Sequence, residues 1–183
     1  MENLDTLDAL DTAQLTLDCS KIYFGQLSAS QQLSSALMSK IIAACKVEAI
    51  RQHVGVIELE RLVKAFVETK RHLDFDCRLG IHFSLEIISN IASAIEPAKA
   101  ASFRTTPVSF ANGSLGLNPQ LIQRSMEQLV AEFYNLSADE FIREFLLIHP
   151  YGDGNGRTAF VLYNFITNRM SNPQPLPDYF KEV

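Results

Sequence analysis

The chain has 183 residues, enough for one domain with a substantial core. Hydrophobic residues make up 47% and charged residues 20%, and a net charge of -5 without a long Lys/Arg run gives no electrostatic footprint for nucleic acid. The start, MENLDTLDALDTAQLTLD, is acidic where a secretory signal is basic and then apolar, and no apolar run reaches the ~18 residues of a membrane span, so the expectation is a soluble, cytoplasmic protein.

In chain order, residues 1–27 read as an acidic lead-in, helical in spacing around 8–17. Ser28 or Ser30 can cap a helix to about residue 53, with Leu33, Leu37, Ile41 and Cys45 inward. Gly55 breaks it. A second helix is expected over about 57–71, burying Leu59, Leu62, Val63 and Phe66. A third covers about 79–96 and stops before Pro97. The helical period then lapses. FRTTPVSFANGSLGLNP, with Asn112-Gly113 as a tight-turn pair, predicts a short hairpin over about 105–117. Asn118-Pro119 reads as an N-cap and first helical residue for a helix over 119–135, burying Leu121, Ile122, Met126, Leu129, Val130 and Phe133. Ser137 and Glu140 form a capping box for a helix to about 148. A last helix spans about 156–170, and the prolines at 173, 175 and 177 end regular structure in a Pro-rich tail, 173–183. The expected fold is all-α over 28–172, with one small β-hairpin and no βαβ alternation. Cys19, Cys45 and Cys77 have no CxxC spacing and read as small hydrophobes of a reducing compartment.

The segment IHPYGDGNGRTAF interrupts two apolar helices with helix-disfavouring residues. Pro150 ends the first helix near His149. The second begins close to Gly156, and its first-turn amides have no partners inside the helix. Gly154 and Gly156 leave those amides open to approach, the helix start favours an anion, and Arg157 adds a planar fork of donors suited to phosphate. Asp153 makes sense beside an anion if it holds a cation bridging to it, as Mg²⁺ does with one or two carboxylates plus phosphate. His149 can accept a proton near neutral pH. A calcium loop starting at Asp153 would need Gly at position 158 and Glu at 164, where Thr158 and Asn164 stand, and no Lys-Ser/Thr follows the glycines as in a Walker A loop.

HPYGDGNGR resembles the Fic family signature, H-P-F-x-D/E-G-N-G-R-x-x-R, at His149, Pro150, Asp153, Gly154, Asn155, Gly156 and Arg157, with Tyr151 in place of Phe. The resemblance extends over about 80–170, including FRTTPV and NPQLIQRSMEQLV. It implies a Fic-type helical domain with a hairpin flap, transferring AMP from ATP to a Ser, Thr or Tyr hydroxyl of a target protein. His149 would be the base, Asp153 the Mg²⁺ ligand, and Gly154, Asn155, Gly156 and the side chain of Arg157 the holders of the nucleotide phosphates. Tyr151 would anchor the loop in the core. The target would lie along the flap at 105–117, placed by main-chain pairing. One position departs: Phe160 stands where the family has its second arginine, and no Ser or Thr is followed four residues later by the family's inhibitory Glu. Phe160 leaves three outcomes open: weak activity on ATP, another nucleotidyl donor, or a degenerate nucleotide- or partner-binding module without catalysis.

Overall fold

The computed structural model describes residues 33–76, 83–110 and 113–182. The acidic lead-in, the two serines expected as caps, Cys19, Cys77 and Asn112 lie outside the described residues. Six α-helices are described: α1 (Ser35–Arg51), α2 (Val56–Asp76), α3 (Leu85–Ile95), α4 (Pro119–Ala131), α5 (Ala138–Ile148) and α6 (Asn155–Ile166). Helix α2 packs against α1 and α3, α5 against α4 and α6, and α6 touches α1, α2, α3 and α5. Helix α6 is therefore the central element, and its residues 157–163 are buried.

Local chemistry explains most boundaries. Ser34 caps α1, its hydroxyl accepting the Leu37 amide at 3.2 Å. Asn118 caps α4 by accepting the Gln120 amide at 3.0 Å, with Pro119 first in the helix. The capping box at the start of α5 forms as expected, with Glu140 accepting the Ser137 amide at 2.8 Å. Each such cap is worth about 1 kcal/mol. The inner stripes of α1, α2 and α3 build the core. Leu121, expected inside, is 48% exposed, because α4 turns Ile122, Met126 and Leu129 inward instead.

Three segments differ from expectation for identifiable reasons. Among the described residues of 105–117 no pair of strands forms: the stretch folds back through one antiparallel bridge, Ser109 with Leu115, with main-chain hydrogen bonds from Phe110 to Ser114 and from Gly116 to Val108 at 2.9 Å. In this register the next rung would pair Thr106 with Asn118, and Arg104 takes the Thr106 carbonyl at 2.8 Å, together with the outward-facing carbonyl of Leu117 at 2.7 Å. Helix α4 stops at Ala131 and is followed by a short 3₁₀ turn, Phe133–Asn135. Helix α6 ends at Ile166 rather than near 170, since Asn168 takes a left-handed conformation, φ 55°.

Beyond α6 the chain returns to the core. The Asn164 side chain exchanges hydrogen bonds with the main chain of Gln174, at 2.8 and 2.9 Å. Leu176 and Phe180 are buried. Arg51 donates to the carbonyls of Leu176 and Pro177 and lies 3.3 Å from the Asp178 carboxylate. No described helix is long and apolar enough to cross a membrane.

Candidate active site

The loop between α5 and α6 carries the signature. His149 is the C-cap of α5, left-handed at φ 49°. Its ring meets the edge of Phe110 from the fold-back, with centroids 5.2 Å apart. Burial lowers its pKa below the ordinary 6.5, and the nearby Arg104 charge lowers it further, against a hydrogen bond to the Leu146 carbonyl and the charge of Asp153. The imidazole is therefore neutral at pH 7. A neutral imidazole carries one N–H and one nitrogen with a lone pair that can take a proton.

Arg104 positions this residue. Its guanidinium donates to four carbonyls: His149 at 2.7 Å, Leu117 at 2.7 Å, Thr106 at 2.8 Å and Ile148 at 3.3 Å. Two of these belong to the end of α5, where the helix dipole favours a cation. The Arg104 amide also donates to Pro150, at 2.8 Å. One side chain thus fastens the fold-back to the signature loop.

The loop is braced from within. Both atoms of the Asn155 carboxamide engage Tyr151: the carbonyl accepts its amide at 3.0 Å and the NH₂ donates to its carbonyl at 2.8 Å. The Asn155 side chain is thereby spent, and only its backbone N–H faces outward chemistry. Tyr151 is buried, tilted against Phe103 at 5.6 Å.

Helix α6 opens at Gly154, φ 80°, a backbone state that suits glycine. The amides of 155, 156 and 157 have no acceptor among the described residues. Arg157 is 2% exposed. Its Nη2 lies 3.0 Å from Asp153 Oδ1 and 3.5 Å from Glu96 Oε2, while Nε and Nη1 are buried with no hydrogen-bond partner. Leaving buried charged donors unpaired is costly, and such orphans call for an acceptor. Gly156 shows a close approach: a Cβ there would lie 3.0 Å from both Nε2 and Oε1 of Gln52. That carboxamide rests on the buried Glu48, donating to it at 2.7 Å.

Asp153 is ionised. Burial alone would raise its pKa, but hydrogen bonds from Lys99 and the Gly154 amide, with the charge of Arg157, hold it below its usual value. Oδ1 accepts from Gly154 N and Arg157, Oδ2 from the exposed Lys99 at 3.0 Å. No group of three His, Cys, Asp or Glu side chains gathers among the described residues. A metal would thus depend on one carboxylate plus oxygens of a ligand, a set that Mg²⁺ accepts and zinc does not.

The residues singled out in the sequence therefore come together in part. Asp153, Gly154 and Arg157 are in direct contact, Asn155 locks the loop, and His149 stands at its opposite end. Arg104, Glu96, Lys99 and Gln52 were not foreseen, because each reaches the site from a distant part of the chain. Phe160 lies a turn below Arg157, fully buried and packed on Phe66 at 5.6 Å, so its side chain takes no part in the cradle. The more enclosed cavity of the molecule, 360 Å³ and lined by Glu68, His72 and Asn90 among others, does not include any residue of this loop.

Residues 80–167 match the sequence model of the Fic/DOC family. The chain is similar to the protein adenylyltransferases fic-1 of Caenorhabditis elegans and Caenorhabditis briggsae, each 27% identical over 139 residues, which is 69% of this chain. It spans 26% of the length of those relatives. Its fold is similar to that of IbpAFic2 in a structure covalently tethered to Cdc42, at TM-score 0.59 and 16% identity, covering 92% of this chain and 60% of that one. It is likewise similar to Fic-1 of C. elegans, at TM-score 0.55 and 18% identity, covering 93% and 61%. Residues 80–167 are thus a Fic/DOC family domain, and the helical fold described above is that of the solved Fic structures.

Proposed function

We propose that the His149–Arg157 loop transfers a nucleotidyl group, AMP by default, from a nucleoside triphosphate to a hydroxyl of a target protein. The observation that carries the reading is Arg157: two buried, unpartnered donors beside three open helix-start amides form a site short of an anion. Phosphate oxygens of ATP would accept from these groups. Gln52, which lies against Gly156, would shift to admit them. The acceptor hydroxyl oxygen bonds to the α-phosphorus, its proton passes to the free nitrogen of His149, and the bond to the β-phosphate oxygen breaks to release pyrophosphate. A neutral imidazole suits that role, worth about 10²–10⁴ in rate. Mg²⁺, when bound at Asp153 in exchange for Lys99, would neutralise phosphate charge.

Kinship with adenylyltransferases supports AMP as the donor group, and the Cdc42-tethered relative supports a protein as acceptor. The test is transfer of α-phosphate label, with the product's added mass read for each of the four nucleoside triphosphates. Wild type should gain a nucleotidyl mass on itself or on added protein, and His149→Ala should not. Equal labelling by both would end the proposal. A second reading, a nucleotide-binding module without chemistry, is favoured by Phe160, which removes the family's second arginine from the cradle. It predicts calorimetric nucleotide binding with no transfer from any donor.

A further inference from the structure

We infer that the groove between the fold-back, α4 and α5 selects the target: it seats a segment that carries a large apolar anchor and a Lys or Arg close to the acceptor hydroxyl. The inference rests on the proposed function and names the partner's chemistry. The groove has a volume of 540 Å³ and mixed walls: Leu115 and Leu117 from the fold-back, Leu129 from α4 and Leu147 from α5 give an apolar strip, bordered by Ser125 and Gln128. Leu115 is 79% and Leu147 44% exposed, an apolar surface that water does not favour.

Three observations choose the occupant. The groove ends next to the candidate active site: Ile148, the residue before His149, lines it, and so does the fold-back whose Phe110 meets the His149 ring at 5.2 Å. A segment lying there could extend one residue's length along the end of α5 to reach the imidazole. Its charged lining is one-signed: Glu132 and Glu144 face it, with no Lys, Arg or His. Carboxylates at the edge of an apolar patch select cationic partners more than they add affinity. A second copy of this chain, at net charge -5, would bring like charge to like.

The test reads binding without chemistry. A random peptide library displayed on phage is selected on the wild-type protein, and enriched peptides are measured by fluorescence anisotropy. Two variants follow, Leu115→Glu with Leu147→Glu, and Glu132→Lys with Glu144→Lys. All four residues lie on the surface, and melting curves check that folding is kept. Enriched peptides should pair an aliphatic or aromatic residue with Lys or Arg and bind both variants at least about tenfold more weakly, 1.4 kcal/mol. The charge-reversed variant should prefer the same peptide with Asp or Glu in place of its basic residue. Failure to enrich any peptide, peptides indifferent to both variants, or a preference for acidic peptides in wild type would overturn the inference. So would a wild-type dimer that Leu115→Glu dissolves, which would give the groove to a second copy. Peptide binding without any nucleotidyl transfer would sink the catalytic reading alone. Transfer that survives in both variants with unchanged peptide preference would sink the groove alone.

Discussion

Two buried arginines flank the signature loop, and they are in opposite states. Arg104 is 6% exposed and places its donors on four main-chain carbonyls. Arg157 is 2% exposed and keeps two nitrogens without a partner. A saturated guanidinium holds a fold together. An unsaturated one is a cost to the fold, and it persists where a ligand completes it. The floor under His149 is thus satisfied by the protein itself, whereas the start of α6 leaves donors that the proposed phosphate site would use.

The largest effect tests the floor. Arg104→Ala strands buried carbonyls at the end of α5 and unfastens the fold-back, and should cost about 3 kcal/mol or more. In a denaturant titration that appears as a lowered midpoint, and a loss under about 1 kcal/mol would mean that Arg104 is not structural. Next comes an arginine placed where neither arrangement exists. Phe160→Arg would bury a guanidinium against Phe66 with neither carbonyls nor an anion to receive it, and should cost about 3 kcal/mol. A variant that melts with wild type and gains AMP transfer would show that α6 can turn this position toward the cradle.

A smaller effect tests how far the Arg104 charge reaches. Burial and that charge hold the His149 pKa below 6.5, so the base stays neutral to lower pH than a free histidine. The acid limb of kcat/KM for transfer should bend below pH 6.5, and a bend above it would contradict the described surroundings. The smallest effect concerns another buried charge, Glu48, under Gln52. Burial raises its pKa above 4.5, outweighing its hydrogen bonds to Gln52, Arg51 and Leu176. A raised carboxylate pKa means that the unfolded chain binds fewer protons, so stability falls as pH rises through the folded pKa. Glu48→Gln should match wild type near pH 4 and exceed it by up to about 1 kcal/mol at pH 8. A gain confined to acid pH would reverse the sign and refute it.

How much of this was legible depends on whether the cause was local. The caps at Asn118 and at Ser137 with Glu140 act within three residues, and the sequence names them. The helix interruption from His149 to Arg157 is equally local, and so is the chemistry of its residue types. The role of Arg104 was hidden because its partners are main-chain carbonyls, which every residue has and none advertises. Lys99 and Glu96 join Asp153 and Arg157 across a long stretch of chain, and Gln52 reaches Gly156 from α1. The hairpin was overread because β-forming residues and Asn112-Gly113 signal pairing, while the competing claim of Arg104 on the Thr106 carbonyl leaves no mark in the segment itself. Leu121 was misplaced by counting apolar residues without following which side of α4 faces α5.

The central contrast is tested most directly by calorimetry of Mg²⁺ with ATP against wild type and Arg157→Met, a change that keeps packing and removes the unpartnered donors. Binding in wild type, at least about tenfold weaker in the variant while its melting temperature holds or rises, is the expected result. Equal affinity in both proteins, or a variant that melts markedly lower, would mean that Arg157 serves the fold and that the start of α6 is not the phosphate site.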